Sequence, residues 1–267
     1  MNDLHRSLAP LSDAAWDRIE HEAKEAFEVY LAARRLVRLS GPHGWGESSV
    51  PTGQTQGVDG LGEGIEARLR VVQPLVELRV PFTLDRRELE TIARGNPKPD
   101  LDPVIDAAKC IATAEDRLVF MGHEEARISG IATGTHQDPV PLTDDYLAYP
   151  SSVVEGLQQL REAGVGGPFA LVLGPRCFRG LMTTITGGGY PVYKHVRDLI
   201  DGPIVHAPSF DGALLLTMDE DAYELVVGRD LSIGYLGHDA DKVDLYFEES
   251  LTFRLFEPDG AVWLKYV

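Results

Sequence analysis

The chain has few cysteines, no long apolar run and no excess of positive charge. Its 267 residues contain two cysteines, Cys110 and Cys177, so a fold built on a disulfide framework is excluded. We expect both thiols to be buried as small apolar side chains. No stretch approaches the roughly 18 apolar residues of a membrane span, and residues 1–6 lack the apolar core of a secretory signal. These absences predict a cytoplasmic protein without a membrane partner.

The charge balance argues against nucleic acid as a partner. The 42 acidic residues outnumber the 25 lysines and arginines, which gives a formal net charge of -17. Binding to phosphate backbones needs concentrated cationic side chains instead. Apolar residues make up 43% and charged residues 25% of the chain, so a core of ordinary size is available.

Motifs of the common enzyme classes are missing. There is no Gly-x-Ser-x-Gly elbow and no Gly-Lys-Ser/Thr phosphate loop, and the glycines of residues 60–64 lack the spacing of a dinucleotide fingerprint. His21, Glu22 and Glu25 resemble a zinc-protease helix without its second histidine, so we interpret them as a solvated helix face. We therefore predict that the protein is not an enzyme and has no catalytic residue, metal site or cofactor.

The segment 1–45 predicts a long amphipathic helix. Ser12 is a good N-cap, and apolar residues then recur at helical spacing on one face. They are Trp16, Ile19, Ala23, Phe27, Tyr30 and Leu31. We expect Arg34 and Arg35 in the last turns, where cations favour the negative end of the helix dipole, and Gly41-Pro42 as the stop.

Further helices and strands follow without a regular alternation. Residues 75–84 alternate apolar and polar side chains like a half-buried strand, and residues 169–173 indicate a buried one. Further helices are predicted after the caps Asp85, Asp102 and Ser151-Ser152, and over 192–199. The closing strands are predicted over 213–218, 223–227, 243–247, 251–256 and 261–266. This mixture favours an α+β fold over a doubly wound sheet.

Several short motifs occur in a fixed order across nearly the whole chain. They are Arg6, Ala9-Pro10-Leu11, Trp16, Arg34-Arg35, Gly41 to Trp45, residues 75–84, Glu115-Asp116, Gly189-Tyr190-Pro191, residues 230–235 and residues 249–253. In this order they resemble the motifs of the encapsulin shell proteins, the linocin-like family. A small departure is Ala33, where the family usually has glycine before the arginine pair.

The resemblance implies the tailed-phage major capsid fold, of the Hong Kong 97 type. It implies a peripheral domain of residues 1–47, 74–135 and 222–267, an extended loop of residues 48–73 and an axial domain of residues 136–221. The composition of residues 46–66, rich in glycine, serine, threonine and glutamine, leaves two interpretations open. This stretch is either a flexible loop or an extended arm that becomes ordered on a neighbouring subunit.

The resemblance also implies a homo-oligomeric shell of about sixty copies, or a multiple, around a cargo enzyme such as a peroxidase or a ferritin-like protein. The cargo carries a C-terminal targeting peptide, which the family binds in a groove between the first helix and a late strand. The corresponding residues are Phe27, Leu31, Arg34, Arg35, Asp230, Leu231 and Ile233. The alternative is that Phe27 and Leu31 are ordinary core residues of an amphipathic helix.

A glycine loop falls where the family has its fivefold pore. The loop consists of Thr186, Gly187, Gly188, Gly189 and Tyr190. Glycines permit a close approach of symmetry-related backbones, so we expect the loop to line a pore for ions and small solutes. The alternative is an ordinary glycine loop.

Two other functions remain open from the sequence. The same fold builds virus and prophage coats, although the acidic charge weakens nucleic-acid packaging. Linocin-type relatives have also been associated with bacteriocin or protease activity, but no residue of this chain can be nominated for such a reaction.

Overall fold

The computed structural model describes residues 3–60 and 62–267. Its helices are α1 (Asp13–Tyr30), α2 (Arg86–Ala93), α3 (Asp102–Met121), α4 (Ile131–Gly134), α5 (Tyr149–Glu162), α6 (Pro175–Thr183) and α7 (Val192–Leu199). Its strands are β1 (Arg38–Ser40), β2 (Ser49–Val58), β3 (Ala67–Pro74), β4 (Val76–Asp85), β5 (Gly122–His123), β6 (Ile128–Ser129), β7 (Val140–Leu142), β8 (Phe169–Leu173), β9 (Ile204–His206), β10 (Ala213–Thr217), β11 (Tyr223–Val227), β12 (Ser232–His238), β13 (Lys242–Leu255) and β14 (Ala261–Tyr266). Met1, Asn2 and Leu61, which belong to the predicted ranges 1–47 and 48–73, lie outside the described residues.

The first helix starts where the sequence predicts and ends early. Its start is confirmed, because the Ser12 hydroxyl accepts the backbone N–H of Ala15 at 3.3 Å. Its last residue is Tyr30, so the prediction that it runs to Gly41-Pro42 is wrong. The intervening residues include the short strand β1, which pairs in parallel with β11.

Arg34 and Arg35 therefore do not lie in the last turns of α1, and that prediction is wrong. They belong to a separate 3₁₀ turn, Ala33–Arg35. The physical reason is a buried carboxylate on α3, since Asp116 accepts the backbone N–H groups of Ala32 and Ala33. These hydrogen bonds satisfy the start of the turn and redirect the chain out of the helix.

The other helix starts agree with the sequence to within a few residues. Asp85 caps α2, as predicted. Asp102 is the first residue of α3 rather than its cap, because Leu101 takes the cap position. Ser151-Ser152 do not cap α5, since that helix already begins at Tyr149 and has a proline in its first turn, where proline is tolerated.

The first sheet is built around the long strand β13. Its order is β1-β11-β13-β12, and β4 also pairs with β13. The prediction of two strands over 243–247 and 251–256 is wrong, because β13 runs through both segments. Polar residues Glu248, Glu249 and Ser250 interrupt the apolar pattern, but pairing with β4 along residues 242–251 keeps the backbone extended.

The second sheet has the order β7-β14-β10-β8-β9. The buried strand predicted over 169–173 is confirmed as β8. Helices α5, α6 and α7 pack beside this sheet and cover its apolar side chains. Strand β14 lies at the end of the predicted range 222–267 yet pairs with β10 and β7, so the predicted domain ranges do not separate the two sheets.

The two sheets share one apolar core. Leu225 and Phe253 of the first sheet belong to the same buried cluster as Val172 and Leu214 of the second. A neighbouring cluster joins α1, α3 and the far end of β13. Helices and strands are therefore mixed in one packed body, which confirms the α+β prediction.

Strands β2 and β3 form a hairpin that pairs with neither large sheet. We call this hairpin the arm and define it as residues 49–60 and 62–74. Most of its side chains are exposed, and they include the apolar Leu69 at 60% and Val72 at 45% exposure. The composition predicted either a loop or an arm here, and the chain forms regular strands.

The two cysteines differ in environment. Cys177 is buried in the second sheet's core, as predicted, whereas Cys110 is exposed and that expectation is wrong. On α3, position 110 lies beside the buried Ile111 but on the side of the helix that faces away from the sheets. Neither thiol forms a disulfide.

Candidate functional site

A groove of about 560 Å³ separates α1 from the start of β12. Six of the seven residues predicted for the cargo peptide line this groove, and they come from segments about two hundred positions apart. They are Phe27, Leu31, Arg34, Asp230, Leu231 and Ile233. Helical spacing explains the α1 contribution, because positions 23, 27 and 31 lie on one face.

The floor of the groove is apolar and continuous with the core. The Phe27 ring meets the Phe247 ring edge to face, with centroids 5.3 Å apart. Ile233 is buried, whereas Phe27, Leu31 and Leu231 are half-buried and face the groove. The two alternatives from the sequence are thus compatible, because Phe27 packs on the core and lines the groove at once.

Arg34 is fixed in the groove by three carboxylates from three different elements. Its Nε donates to both Glu115 oxygens at 2.9 and 3.0 Å, and its Nη2 donates to Glu115 at 2.7 Å. Nη2 also donates to Glu249, and Nη1 donates to Asp230 at 2.8 Å. Burial alone lowers the pKa of Arg34, but these carboxylates outweigh it and raise the pKa, so the guanidinium is charged.

Two of the acids near Arg34, Glu249 and Asp116, have raised pKa values. Burial raises the pKa of Glu249 well above its usual value, and the charge of Glu115 adds to this effect while Arg34 opposes it. Burial also raises the pKa of Asp116 to about 7, although the N–H groups of Ala33 and Ala32 favour its charged form. Beneath the apolar floor, Arg34 is therefore in contact with more carboxyl groups than one guanidinium can neutralise.

Arg35 does not join the groove. It is exposed, and it is not among the residues that line the cavity. The reason is local geometry, because successive residues of a 3₁₀ turn point about 120° apart. Arg34 points inward onto α3, so the residue after it cannot face the same side.

Sequence reasoning missed seven residues that line the groove. They are Leu4, Arg6, Glu20, Ala23, Lys24, Ser232 and Phe247. Leu4 is held against β12, where its carbonyl accepts the Tyr235 N–H at 2.9 Å. The Arg6 guanidinium lies over the Trp16 ring at 4.2 Å and pairs with Glu20. Helical spacing from Phe27 could have indicated Ala23 and Lys24. No local pattern predicts that the N-terminal residues line the groove.

The glycine loop predicted as a pore is a tight exposed turn between α6 and α7. Thr186 donates its N–H to the Tyr190 carbonyl at 2.8 Å, and Gly189 donates to the Thr186 carbonyl at 2.8 Å. Gly189 has φ +79°, a left-handed conformation that favours glycine. Gly187 and Gly188 have open space where a side chain would project.

The loop is anchored at one side by an aromatic contact. The Tyr190 ring packs edge-on against the His195 ring of α7, with centroids 4.6 Å apart. Gly187, Gly188 and Gly189 are exposed.

Other chemistry is sparse in residues 3–60 and 62–267. In these ranges no three histidine, cysteine or acidic side chains converge in a group that could hold a metal ion. His21 and Glu25 form an exposed pair at 3.4 Å on α1. None of the helices in the described part is long and apolar enough to cross a bilayer.

The fold is similar to those of solved virus-like particle and phage capsid subunits. The virus-like particle of Pyrococcus furiosus matches with a TM-score of 0.68 and 16% identity, over 94% of this chain and 99% of that chain. The capsid of Myoviridae phage XM1 matches with a TM-score of 0.54 and 11% identity, over 88% and 91%. The chain therefore has the tailed-phage major capsid fold, as the sequence predicted.

Sequence comparison identifies the family within that class. The family model "Linocin_M18: Encapsulating protein for peroxidase" matches residues 1–252. The type 1 encapsulin shell protein of Rhodospirillum rubrum is 49% identical over 99% of this chain and 97% of its own length. The type 1 encapsulin shell protein of Mycobacterium tuberculosis is 40% identical over the full length of both chains. The chain belongs to the encapsulin shell-protein family, so it is a structural subunit of a multi-copy shell.

These comparisons also weigh the alternative of a virus coat. The phage capsids share the fold at low sequence identity, whereas the relatives at 40% identity or more are shell proteins. The coat interpretation therefore has support from the fold alone.

Proposed function

We propose that this shell captures a cargo enzyme in the cytoplasm by binding the cargo's C-terminal targeting peptide in the groove between α1 and β12. The observation that carries the proposal is the groove itself, which combines an apolar floor with a fixed arginine. The description of the family model names a peroxidase, which favours a peroxidase over a ferritin-like protein as cargo.

The chemistry of the groove suits an extended, largely apolar peptide. Phe27, Leu31 and Leu231 offer half-buried surfaces to apolar peptide side chains. Arg34 is already surrounded by three carboxyl groups that outweigh its charge, so a further anion gains little there. A peptide carbonyl is the better partner, because it can accept a hydrogen bond from Nη1 without adding charge.

A disordered tail that binds a shell gains from repetition. Ordering the peptide costs conformational entropy, so one groove holds it with modest affinity. A shell offers one groove in each of about sixty subunits or a multiple of that number, which raises the effective concentration of sites around an enclosed cargo. The groove must face the interior for this to work.

The same proposal assigns the remaining predicted parts. The first sheet with α1, α2 and α3 supports a peripheral domain. The second sheet, apart from β14, supports an axial domain together with α5, α6 and α7, and the arm takes the place of the extended loop. An isolated hairpin is marginally stable in water, so a neighbouring subunit would stabilise the arm. The turn at Thr186–Tyr190 supports a pore loop at the fivefold axis.

A matched pair of charge substitutions tests the groove. Leu31→Glu places a carboxylate in the groove, and Val29→Glu places one two residues away at a position that is 66% exposed and outside the groove. The probe is a fluorescent protein fused to the C-terminal segment of a candidate cargo peroxidase from the same organism. We expect wild-type and Val29→Glu shells to enclose the probe, and Leu31→Glu shells of normal size to enclose severalfold less. Equal capture by both variants would contradict the proposal.

A further inference from the structure

Three carboxyl groups share one cation below the groove. Glu115 of α3 and Glu249 of β13 are fully buried, and Asp230 is half-exposed. Among the residues that the structure describes, Arg34 is the one cation that forms an ion pair with any of these three. Three ionised carboxylates would leave an excess of two negative charges, most of it away from water. A buried carboxyl without its own counter-ion takes up a proton instead.

The hydrogen bonds identify which acid carries the proton. Glu115 uses both oxygens to accept from the Nε and Nη2 atoms of Arg34, as an ionised carboxylate does in a bidentate pair. Glu249 meets Arg34 through Oε1 only, while its Oε2 is buried and has no hydrogen-bond partner among the described residues. A charge shared with that oxygen would be buried without a partner, and this costs more free energy than burying a neutral hydroxyl.

We propose that Glu115 and Glu249 form a singly protonated acid pair that positions Arg34 in the groove, with the charge on Glu115 and the proton on Glu249. The proposal rests on the proposed function, because the position of Arg34 matters to cargo only if the peptide binds there. Glu115 and Glu249 are positioning residues, since neither lines the groove.

The division of charge decides where the guanidinium points. Glu115 clamps the Nε and Nη2 edge against α3, which leaves the Nη1 end for Asp230 and the groove. A second buried charge on Glu249 would compete with Glu115 for Nη2 and pull Arg34 toward β13. The proton on Glu249 removes that competition.

The surroundings of the pair contain few other titratable groups. Asp116 lies beside Glu115 on α3, Arg34 lies on the 3₁₀ turn, and Asp230 precedes β12. From α1, Lys24 and Glu20 line the groove. On β4, the residue paired with Glu249 is the apolar Leu78. Burial, more than any of these charges, raises the pKa of Glu249. At high pH, Glu249 would lose its proton and its new charge would shift Arg34. The variant Glu249→Gln has no proton to lose, so Arg34 should keep its position.

Infrared spectroscopy of intact shells tests the proton directly. Near neutral pH, the wild-type minus Glu249→Gln spectrum should contain the carbonyl band of a protonated carboxylic acid, shifted in deuterium oxide. The control Glu248→Gln removes the next carboxylate of β13, which is paired with Arg79 and Arg229, and should leave the band in place. The band should also disappear in Glu115→Gln, because Glu249 then ionises as the counter-ion of Arg34. A wild-type minus Glu249→Gln spectrum without this band overturns the proposal, because the protonated fraction of Asp116 is common to both proteins and cancels.

Cargo capture tests the positioning role, with the same fluorescent probe. Shells with Glu249→Gln should capture as much as wild type near neutral pH, since glutamine mimics the protonated acid, and more than wild type as the pH rises. Glu115→Gln shells should capture severalfold less. Normal capture by Glu115→Gln, or identical pH profiles for wild type and Glu249→Gln, overturns the positioning role.

The two experiments separate this inference from the proposed function. If wild-type shells capture no probe but the infrared band is present, the groove proposal fails and the protonated pair stands. If Glu115→Gln does not assemble, the band in wild type and its loss in Glu249→Gln still decide the protonation state, and the paired pH profiles decide the positioning.

Discussion

The backbone N–H of Ala33 donates to the buried carboxylate of Asp116 at 2.8 Å. The same carboxylate accepts the N–H of Ala32, so one side chain of α3 holds both amides at the start of the 3₁₀ turn. Because Arg34 is the next residue, this contact ties the groove to the long central helix. The small residue at position 33 is fully buried at this junction, where a larger side chain would have no space.

Asp116 should make subunit stability depend on pH. Burial raises its pKa to about 7, whereas an aspartate in an unfolded chain titrates near 3.9. The folded state therefore holds the proton more tightly, and its stability should fall as the pH rises from about 4 to about 7 and stay level above that. The size of this contribution is on the order of a few kcal/mol.

The variant Asp116→Asn isolates that contribution. Its side-chain oxygen can still accept the two N–H groups, but it cannot titrate. The melting temperature of the variant, relative to that of wild type, should rise as the pH increases from about 4 to about 7 and stay level above that. A difference between the two proteins that does not change with pH would show that Asp116 has an ordinary pKa.

Gly234 should not tolerate a side chain. An added Cβ would lie 2.1 Å from the ring of Tyr246, which is buried and stacked under Arg79 at 4.4 Å. Gly234→Ala should therefore lower the free energy of unfolding by about 1–3 kcal/mol, the usual cost of overpacking. Gly237→Ala is the control on the same strand, because its Cβ meets open space. Chemical denaturation of the two variants checks the prediction, and equal midpoints would refute it.

Gly188 should control entry into the shell if the turn lines a pore. Gly188→Trp places a bulky ring on the loop at a position where an added Cβ meets a single atom, the Thr186 hydroxyl oxygen at 3.9 Å. We expect intact shells whose uptake of a small solute is slowed severalfold. Gly166→Trp adds the same ring at an equally open glycine outside the loop and should leave uptake unchanged. Stopped-flow measurement of a dye that reacts with enclosed cargo checks this, and identical rates would remove the pore assignment.

The arm should be needed for assembly and not for folding of the subunit. Leu69→Glu combined with Val72→Glu replaces two exposed apolar side chains of β3, so the folded subunit loses no core contact. We expect normal circular dichroism and a large loss of shells by size-exclusion chromatography. Leu236→Glu changes a similarly exposed leucine of β12 and serves as the control. Full assembly of the double variant would refute an intersubunit role for the arm.

Local signals predicted most of the elements. The Ser12 and Asp85 caps and the apolar run 169–173 depend on neighbours within a few residues, and all three are confirmed. Errors occurred where distant residues decide, as at the end of α1 and in the middle of β13. After Leu31, the Asp116 side chain accepts the backbone N–H of Ala33 and ends the helix. In β13, pairing with β4 keeps Glu248 and Glu249 in the extended strand.

The groove was predicted in part for the same reason. Helical spacing placed Phe27 and Leu31 on one apolar face, but their assignment to a groove with Asp230, Leu231 and Ile233 came from the resemblance to a family. Arg35 lies outside the groove because the 3₁₀ turn aims only Arg34 inward. The N-terminal residues Leu4 and Arg6 also line the groove, and the sequence did not predict this. The Leu4 carbonyl is held by the backbone N–H of the distant Tyr235, a contact that no local pattern encodes.

The sequence by itself determined the net acidic charge, the mixed α+β elements and the family. Composition, periodicity and motif order can all be read along the chain without knowledge of its fold. Only the tertiary structure decided that Glu115, Glu249 and Asp230 meet at Arg34. Those residues are separated by up to about two hundred positions, and their shared charge and proton depend on burial, which no local pattern encodes.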